Sequence, residues 1–320
     1  MKSGMKIVVT GALGHIGSRL VRSIPRVGGR VVMLDNLCTQ RFFSLFDLPR
    51  EGKYSFVEAD VTRADLRPHF EGAGAVIHLA ALTDAASSFT IKDALQANNL
   101  EATRRVAAAC RETGAGLVFA STTSVYGPQT DNVDEDCGKE SLKPQSPYAE
   151  TKLREEDLLL GMAAEGLRVV ILRLGTIFGT SPGMRFHTAV NKFCWQASMG
   201  IPVSVWKTAL NQVRPYLDLE DAVRAFFFVI EKGIFDGRIY NAVTANATVS
   251  EILDVIRKRI PDLRIELVET PIMNQLSYRV SSARIEGRGF RFEGQLERGV
   301  NQTLDLLAAA CGRASGSVAR

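Results

Sequence analysis

The stretch Lys6-Ile7-Val8-Val9-Thr10-Gly11-Ala12-Leu13-Gly14-His15-Ile16-Gly17-Ser18-Arg19-Leu20 runs from β-branched residues through three evenly spaced glycines into a helical pattern that Pro25 stops. It predicts strand, glycine loop and helix in that order. Gly11, Gly14 and Gly17 carry no side chains, so the turn can be tight, the backbone can approach a pyrophosphate and the helix can pack closely on the strand. The positive end of that helix then faces the phosphates. An ordinary glycine-rich turn is the alternative, and the flanking strand and helix weigh against it.

Working outward, Arg30 to Leu34 reads as a second buried strand that ends at Asp35-Asn36. A carboxylate about 20 residues beyond a glycine loop can accept both ribose hydroxyls of adenosine and would repel a 2′-phosphate, which favours NAD over NADP. Tyr54 to Ala59 is the third predicted strand, followed by Asp60-Val61, and Ala75 to Leu79 is the fourth, followed by the small pair Ala80-Ala81. Thr90 to Thr113 is a long alanine-rich helical stretch, Leu117 to Ala120 a fifth strand and Arg168 to Leu174 a sixth. Strands alternating with helices imply an α/β fold with a doubly wound parallel Rossmann sheet, whose ligands sit at the carboxyl ends of the strands.

The fifth strand therefore delivers Ser121-Thr122-Thr123-Ser124 to the cleft. Pro128 to Pro147 follows as an acidic, proline-bearing loop expected to move over the site. Then comes Tyr148-Ala149-Glu150-Thr151-Lys152 at the start of a helix. Residues i and i+4 share a helix face, so a phenol and an ammonium point into one cleft, where the cation can favour the tyrosinate.

Composition excludes several classes. The 320 residues are 46% hydrophobic and 23% charged, values of a globular chain with a sizeable core. A net charge of +4, with Lys and Arg scattered among acids, argues against a nucleic-acid surface. The 5 cysteines have no Cys-x-x-Cys spacing and read as reduced thiols of a cytoplasmic protein. Met1 runs almost directly into the first strand, so no signal peptide is expected, and apolar runs such as Ala225 to Ile230 are too short to span a bilayer. His15, His69, His78 and His187 lack partners at ligand spacing, so no metal site is expected.

Residues 1–174 thus read as the cofactor-binding domain, 175–311 as a smaller α/β substrate-binding region into which the chain crosses, and 312–320 as a frayed tail. Helices are predicted at Arg185 to Met199, Glu220 to Lys232, Val249 to Arg259 and Leu296 to Ala309, with short strands near Val203, Tyr216 and Ile239.

With these pieces in register the chain resembles the extended short-chain dehydrogenase/reductase family, in its nucleotide-sugar epimerase and dehydratase branch. Thr10 to Gly17 is similar to that family's Thr-Gly-x-x-Gly-x-x-Gly loop, Thr122 with Val125-Tyr126-Gly127 to its catalytic hydroxyl segment, and Tyr148 with Lys152 to its Tyr-x-x-x-Lys pair. The resemblance implies catalysis by Thr122, Tyr148 and Lys152. It implies NAD contacts from Gly11, Leu13, Gly14, His15, Ile16, Gly17, Asp35, Asn36, Asp60, Val61, Leu79, Ala80, Ala81, Asn99, Tyr148 and Lys152. Substrate contacts would come from Thr83, Thr123, Ser124, Thr176, Arg185, Asn191, Arg214 and Arg279. A homodimer paired through the Thr90 to Thr113 and Tyr148 to Glu165 helices is implied as well.

Two departures from the family pattern bear on the reaction. Arg173-Leu174-Gly175-Thr176 stands in place of Arg-x-x-Asn, and Ser124 stands where the resembling 4,6-dehydratases and decarboxylases carry an acid. A hydroxyl without an activating partner is a poor proton shuttle, so elimination chemistry is disfavoured. The expected activity is a 4-epimerase of a nucleotide-diphosphate sugar. The alternatives are a sugar 4-dehydrogenase or ketoreductase and, further off, a 4,6-dehydratase, a dehydrogenase of non-nucleotide substrates or a non-catalytic dinucleotide sensor.

Overall fold

A computed structural model of the chain describes residues 4–83, 87–129, 132–269 and 277–311. The expected tail 312–320 lies outside the described residues. Strands in chain order are β1 (Lys6–Thr10), β2 (Arg30–Asp35), β3 (Lys53–Glu58), β4 (Ala73–His78), β5 (Gly116–Thr122), β6 (Asn132–Val133), β7 (Val169–Leu174) and β8 (Thr176–Phe178). They continue as β9 (Val203–Trp206), β10 (Val213–Asp218), β11 (Ile239–Ala242), β12 (Ala245–Thr248), β13 (Ile265–Val268) and β14 (Arg279–Val280). The helices are α1 (His15–Ser23), α2 (Arg67–Phe70), α3 (Lys92–Thr113), α4 (Pro147–Ala164), α5 (Ala189–Ser198), α6 (Leu219–Glu231), α7 (Val249–Arg259), α8 (Ala283–Gly287) and α9 (Leu296–Ala308).

Seven strands form one parallel sheet in the order β11-β7-β5-β4-β1-β2-β3. Buried on both faces, its strands are continuous apolar runs whose alternate residues feed two cores. Ile7 and Val9 point to the side covered by α1 and α6, while Val8 points to the side where Val106 and Cys110 of α3 and Leu159 of α4 pack. The order reverses between β1 and β4, which opens the crevice at the carboxyl end of β1.

The seventh strand comes from far along the chain. Residues Ile239 to Ala242 pair with Ile171 to Leu174 at the sheet edge, and Val223, Phe226 and Ile230 of α6 pack into the core beneath. The chain leaves the sheet after β7, builds β8 to β10, and returns before departing again. The second region is a three-stranded sheet β12-β10-β8 and a β9–β13 pair packed with α5, α7 and α9 around Phe178, Tyr216 and Ile252.

The loop expected to move is tied down where it is described. Asn132–Val133 pairs with Arg279–Val280 as β6 with β14, the Glu135 carboxylate accepts the Asn241 N–H, and Arg284 bonds Asp136. Glu135 and the Arg284 side chain come from segments far apart in sequence, which is why the linear chain did not show the anchoring.

Candidate functional site

The glycine loop is built for close approach. A Cβ on Gly11 would lie 2.7 Å from the Ala80 backbone nitrogen, and one on Gly17 would lie 2.4 Å from the Gly11 oxygen. Gly11 also has φ +66°, a conformation that L side chains rarely adopt. No side chain caps the first turn of α1, so its N–H groups and its positive dipole end are available to an anion. Asp35 stands at the carboxyl end of β2, with Oδ2 accepting the Leu13 N–H at 3.0 Å and Oδ1 the Leu37 N–H at 3.0 Å. Those bonds aim the carboxylate at the crevice and leave lone pairs for ribose hydroxyls. The cradle fits a dinucleotide.

From here a cavity of about 550 Å³ runs to the second region, and most of the expected residues are on its wall. Gly11, Gly14, His15, Ile16, Gly17, Asp35, Asn36, Asp60, Val61, Leu79, Ala80 and Ala81 line one part of it. Thr83, Thr122, Ser124, Tyr148, Lys152, Thr176, Arg185 and Arg214 line the other.

Local chemistry explains the placement of the tyrosine and the lysine. Ser146 caps α4 by accepting the Ala149 N–H at 3.2 Å, and Pro147 occupies the first turn, where its missing N–H costs nothing. Tyr148 and Lys152 therefore lie on one face of the opening turns. Lys152 is 4% exposed, 3.3 Å from the Glu155 carboxylate and 4.4 Å above the Phe119 ring. The expectation that Lys152 brings the phenol down needs correcting for the protein's own groups: burial raises the Tyr148 phenol, and the pull of Lys152 and Arg185 does not outweigh it. The Thr122 hydroxyl accepts the Ser124 N–H at 3.1 Å, so its proton remains free to donate into the cleft.

At the far end, Arg185 bonds Thr83. Buried Nε of Arg214 and the Tyr216 hydroxyl, both on the cavity wall, have no hydrogen-bond partner among the described residues. Groups of this kind are costly unless a polar ligand satisfies them. His15 bridges the two regions, its Nδ1 2.8 Å from Ser181 Oγ, while burial and then Arg185, Arg41 and His187 lower its pKa to about 3.

Five expected residues lie off the wall. Leu13 is a core side chain whose N–H serves Asp35. Asn99 is buried and braces Leu82 through its N–H and carbonyl, both at 2.9 Å. Thr123 is turned into the protein toward the Leu174 carbonyl. Asn191 holds the Arg185 carbonyl at 3.1 Å, and the cavity is met instead by its neighbour Lys192. Arg279, expected among the substrate ligands, is exposed on β14. Neighbours along an extended chain point to opposite faces, so it is Tyr278 that enters the cavity, bonded to the hydroxyls of Thr123 and Ser124.

The sequence reading also missed His187, Trp206 and Gly183. A Cβ on Gly183 would lie 2.3 Å from the Leu13 oxygen, so the segment after β8 packs directly on the glycine loop. Residue type alone marked none of these positions. The parity of Tyr278 against Arg279 was a signal, once β14 was known to be extended.

The family model described as NAD dependent epimerase/dehydratase family matches residues 7–242. The chain is 33% identical over 264 residues to an uncharacterized UDP-glucose epimerase, YtcB, of Bacillus subtilis, covering 79% of this chain and 81% of that one. It is 29% identical over 320 residues to a trifunctional UDP-glucose 4,6-dehydratase, 3,5-epimerase and reductase of Arabidopsis thaliana, spanning 93% of this chain but 46% of that protein. Among solved structures, MoeE5 in complex with UDP-glucuronic acid and NAD superposes with a TM-score of 0.82 at 27% identity, covering 95% and 99% of the two chains. The glycine loop, the Asp35 carboxylate, the seven-stranded sheet and these matches agree: the chain belongs to the NAD-dependent epimerase/dehydratase family and takes NAD as its cofactor.

Proposed function

We propose that the protein is an NAD-dependent nucleotide-diphosphate-sugar epimerase acting at C4 through transient oxidation to a ketosugar. The observation that carries this reading is one continuous cavity with Thr122, Tyr148 and Lys152 between the Asp35-bearing cradle and Arg214, whose buried Nε has no hydrogen-bond partner among the described residues. Bound NAD supplies the hydride acceptor and, once reduced, the hydride donor. Tyr148 takes the proton of the sugar hydroxyl as its carbon is oxidised and returns it when the carbonyl is reduced. Lys152 stabilises the tyrosinate, and Thr122 donates to the reacting oxygen. Arg214 and Arg185 hold the diphosphate, for which a planar guanidinium offers paired donors. Epimerisation further requires the ketosugar to turn over within the site and receive hydride on its other face.

Ser124 supports an epimerase over a dehydratase, because no carboxylate stands at that position to remove the proton that β-elimination requires. The Arabidopsis relative, with a dehydratase in its name, keeps the rival testable. Purified protein is incubated with NAD and UDP-, GDP- and dTDP-sugars. Interconversion of two sugars without net NADH is the expected result. Stoichiometric NADH would instead make it a dehydrogenase, and loss of water from the sugar a dehydratase. Tyr148→Phe should lower turnover by roughly 10²–10⁴ while NAD still binds. The same reading has the chain working in the cytoplasm as a homodimer paired through α3 and α4, which light scattering would register as twice the 35.0-kDa chain mass.

A further inference from the structure

Two consecutive glutamates on α4, Glu155 and Glu156, are both 1% exposed, yet they have different partners. Glu156 faces β7 and β5, where it is held by the Arg173 guanidinium and the Ser121 hydroxyl. Glu155 faces the catalytic lysine. Its Oε2 lies 3.3 Å from Lys152 Nζ, with no hydrogen-bond partner among the described residues. Its Oε1 accepts the Thr103 hydroxyl of α3 at 2.5 Å.

Behind Thr103 the donors fall into one order. The Thr103 proton goes to Glu155, so its oxygen accepts from Nε2–H of buried His78 at 3.3 Å. Nδ1 of His78 then carries the lone pair and accepts the Thr10 hydroxyl at 2.7 Å, while Thr10 Oγ1 accepts the Ala80 N–H at 3.3 Å. Each hydroxyl has a single proton, so the run ends in an acceptor, the Glu155 carboxylate. It links the strand ends beneath the cofactor cradle to the catalytic helix through neutral groups and places a carboxylate beside Lys152.

We propose that Glu155 is a positioning residue of the Tyr148–Lys152 pair: its carboxylate, locked by Thr103, anchors the lysine ammonium and sets the pH range over which the phenol ionises. This rests on the reading of Tyr148 as the base. Among the described residues, the charged groups facing Tyr148 are Lys152 and Glu155 from its own helix and Arg185 from the segment after β8; Lys152 and Arg185 favour the tyrosinate and Glu155 opposes it. His78 on β4 contributes no charge, because burial and Lys152 lower its pKa to about 3. A carboxylate that both holds the lysine and resists ionisation of the phenol moves the working range upward. Removing its charge moves that range down.

The test is the pH dependence of kcat for wild type, Glu155→Gln, Glu155→Asp and Glu156→Gln. Glu155→Gln should shift the acid limb downward by about half a pH unit or more, with Glu155→Asp leaving it near the wild-type position. Glu156→Gln should lower Tm without moving the limb. A limb in Glu155→Gln that stays or moves up overturns the proposal. If that variant does not fold, Glu155→Met, which leaves no unpaired buried amide, replaces it under the same criteria. Tyrosine-ring ¹³C NMR on the cofactor-free variant follows the Tyr148 titration directly, and a midpoint unchanged from wild type would also refute the role. Tyr148→Phe separates the two ideas: retained turnover there removes the base itself, whereas lost turnover with an unmoved Glu155→Gln limb removes only Glu155.

Discussion

Arg173 and Glu156 meet at 2.7 Å inside the sheet–helix interface, with side chains 4% and 1% exposed. The guanidinium also lies 4.8 Å from the Tyr126 ring, so β7, α4 and the turn after β5 are joined at one point. Removing one partner of such a pair leaves an uncompensated buried charge. Glu156→Ala is therefore expected to cost about 3–5 kcal/mol of stability, read as a lowered denaturation midpoint with an unchanged m-value. A loss below about 1 kcal/mol would show that water reaches the pair.

Acid should destabilise the fold through buried His78 and half-buried His15. The folded pKa of His78 and of His15 is lowered from 6.5 to about 3, chiefly by burial. Between those values the unfolded chain binds protons that the folded chain refuses, so stability is fully present above pH 6.5 and falls as pH drops toward 3. His78→Gln removes one of the two titrations. Its thermal midpoint should therefore fall less than that of wild type between pH 7 and pH 4.

Arg214 offers a test of the diphosphate assignment. Arg214→Met keeps most of the apolar stem and deletes the guanidinium with its charge, so KM for the nucleotide sugar should rise about 10–100-fold. Because Arg214 is distant in sequence from the glycine loop and joined to the second region through β10, NAD affinity should hold. Equal losses in both would place the guanidinium on the wrong ligand.

Gly183 presses on the cofactor loop from the second region. An added methyl would stand 2.3 Å from the Leu13 oxygen and 2.5 Å from the Gly14 oxygen, both backbone atoms with little room to give. Gly183→Ala should weaken NAD retention by about 1–3 kcal/mol, measured as NAD remaining after exhaustive dialysis. Retention equal to wild type would mean that the segment after β8 shifts freely.

The cofactor half was legible because its signals are local. A glycine loop between strand and helix, a carboxylate at the next strand end and a Tyr-x-x-x-Lys at a capped helix start are each read within a few residues, and hydrophobic periodicity orders the strands between them. The far wall of the cavity was not legible to the residue. Arg279 and Asn191 were chosen by charge and by family likeness, but a strand or helix gives its cavity-facing position to one neighbour and not the next, and Tyr278 and Lys192 hold those positions. The seventh sheet strand, the anchoring of the 132–147 loop and the run from Thr10 to Glu155 depend on contacts between residues tens to more than a hundred positions apart. Such contacts leave no periodic trace in the chain, since hydrogen-bond geometry and burial arise only when the separate segments are packed.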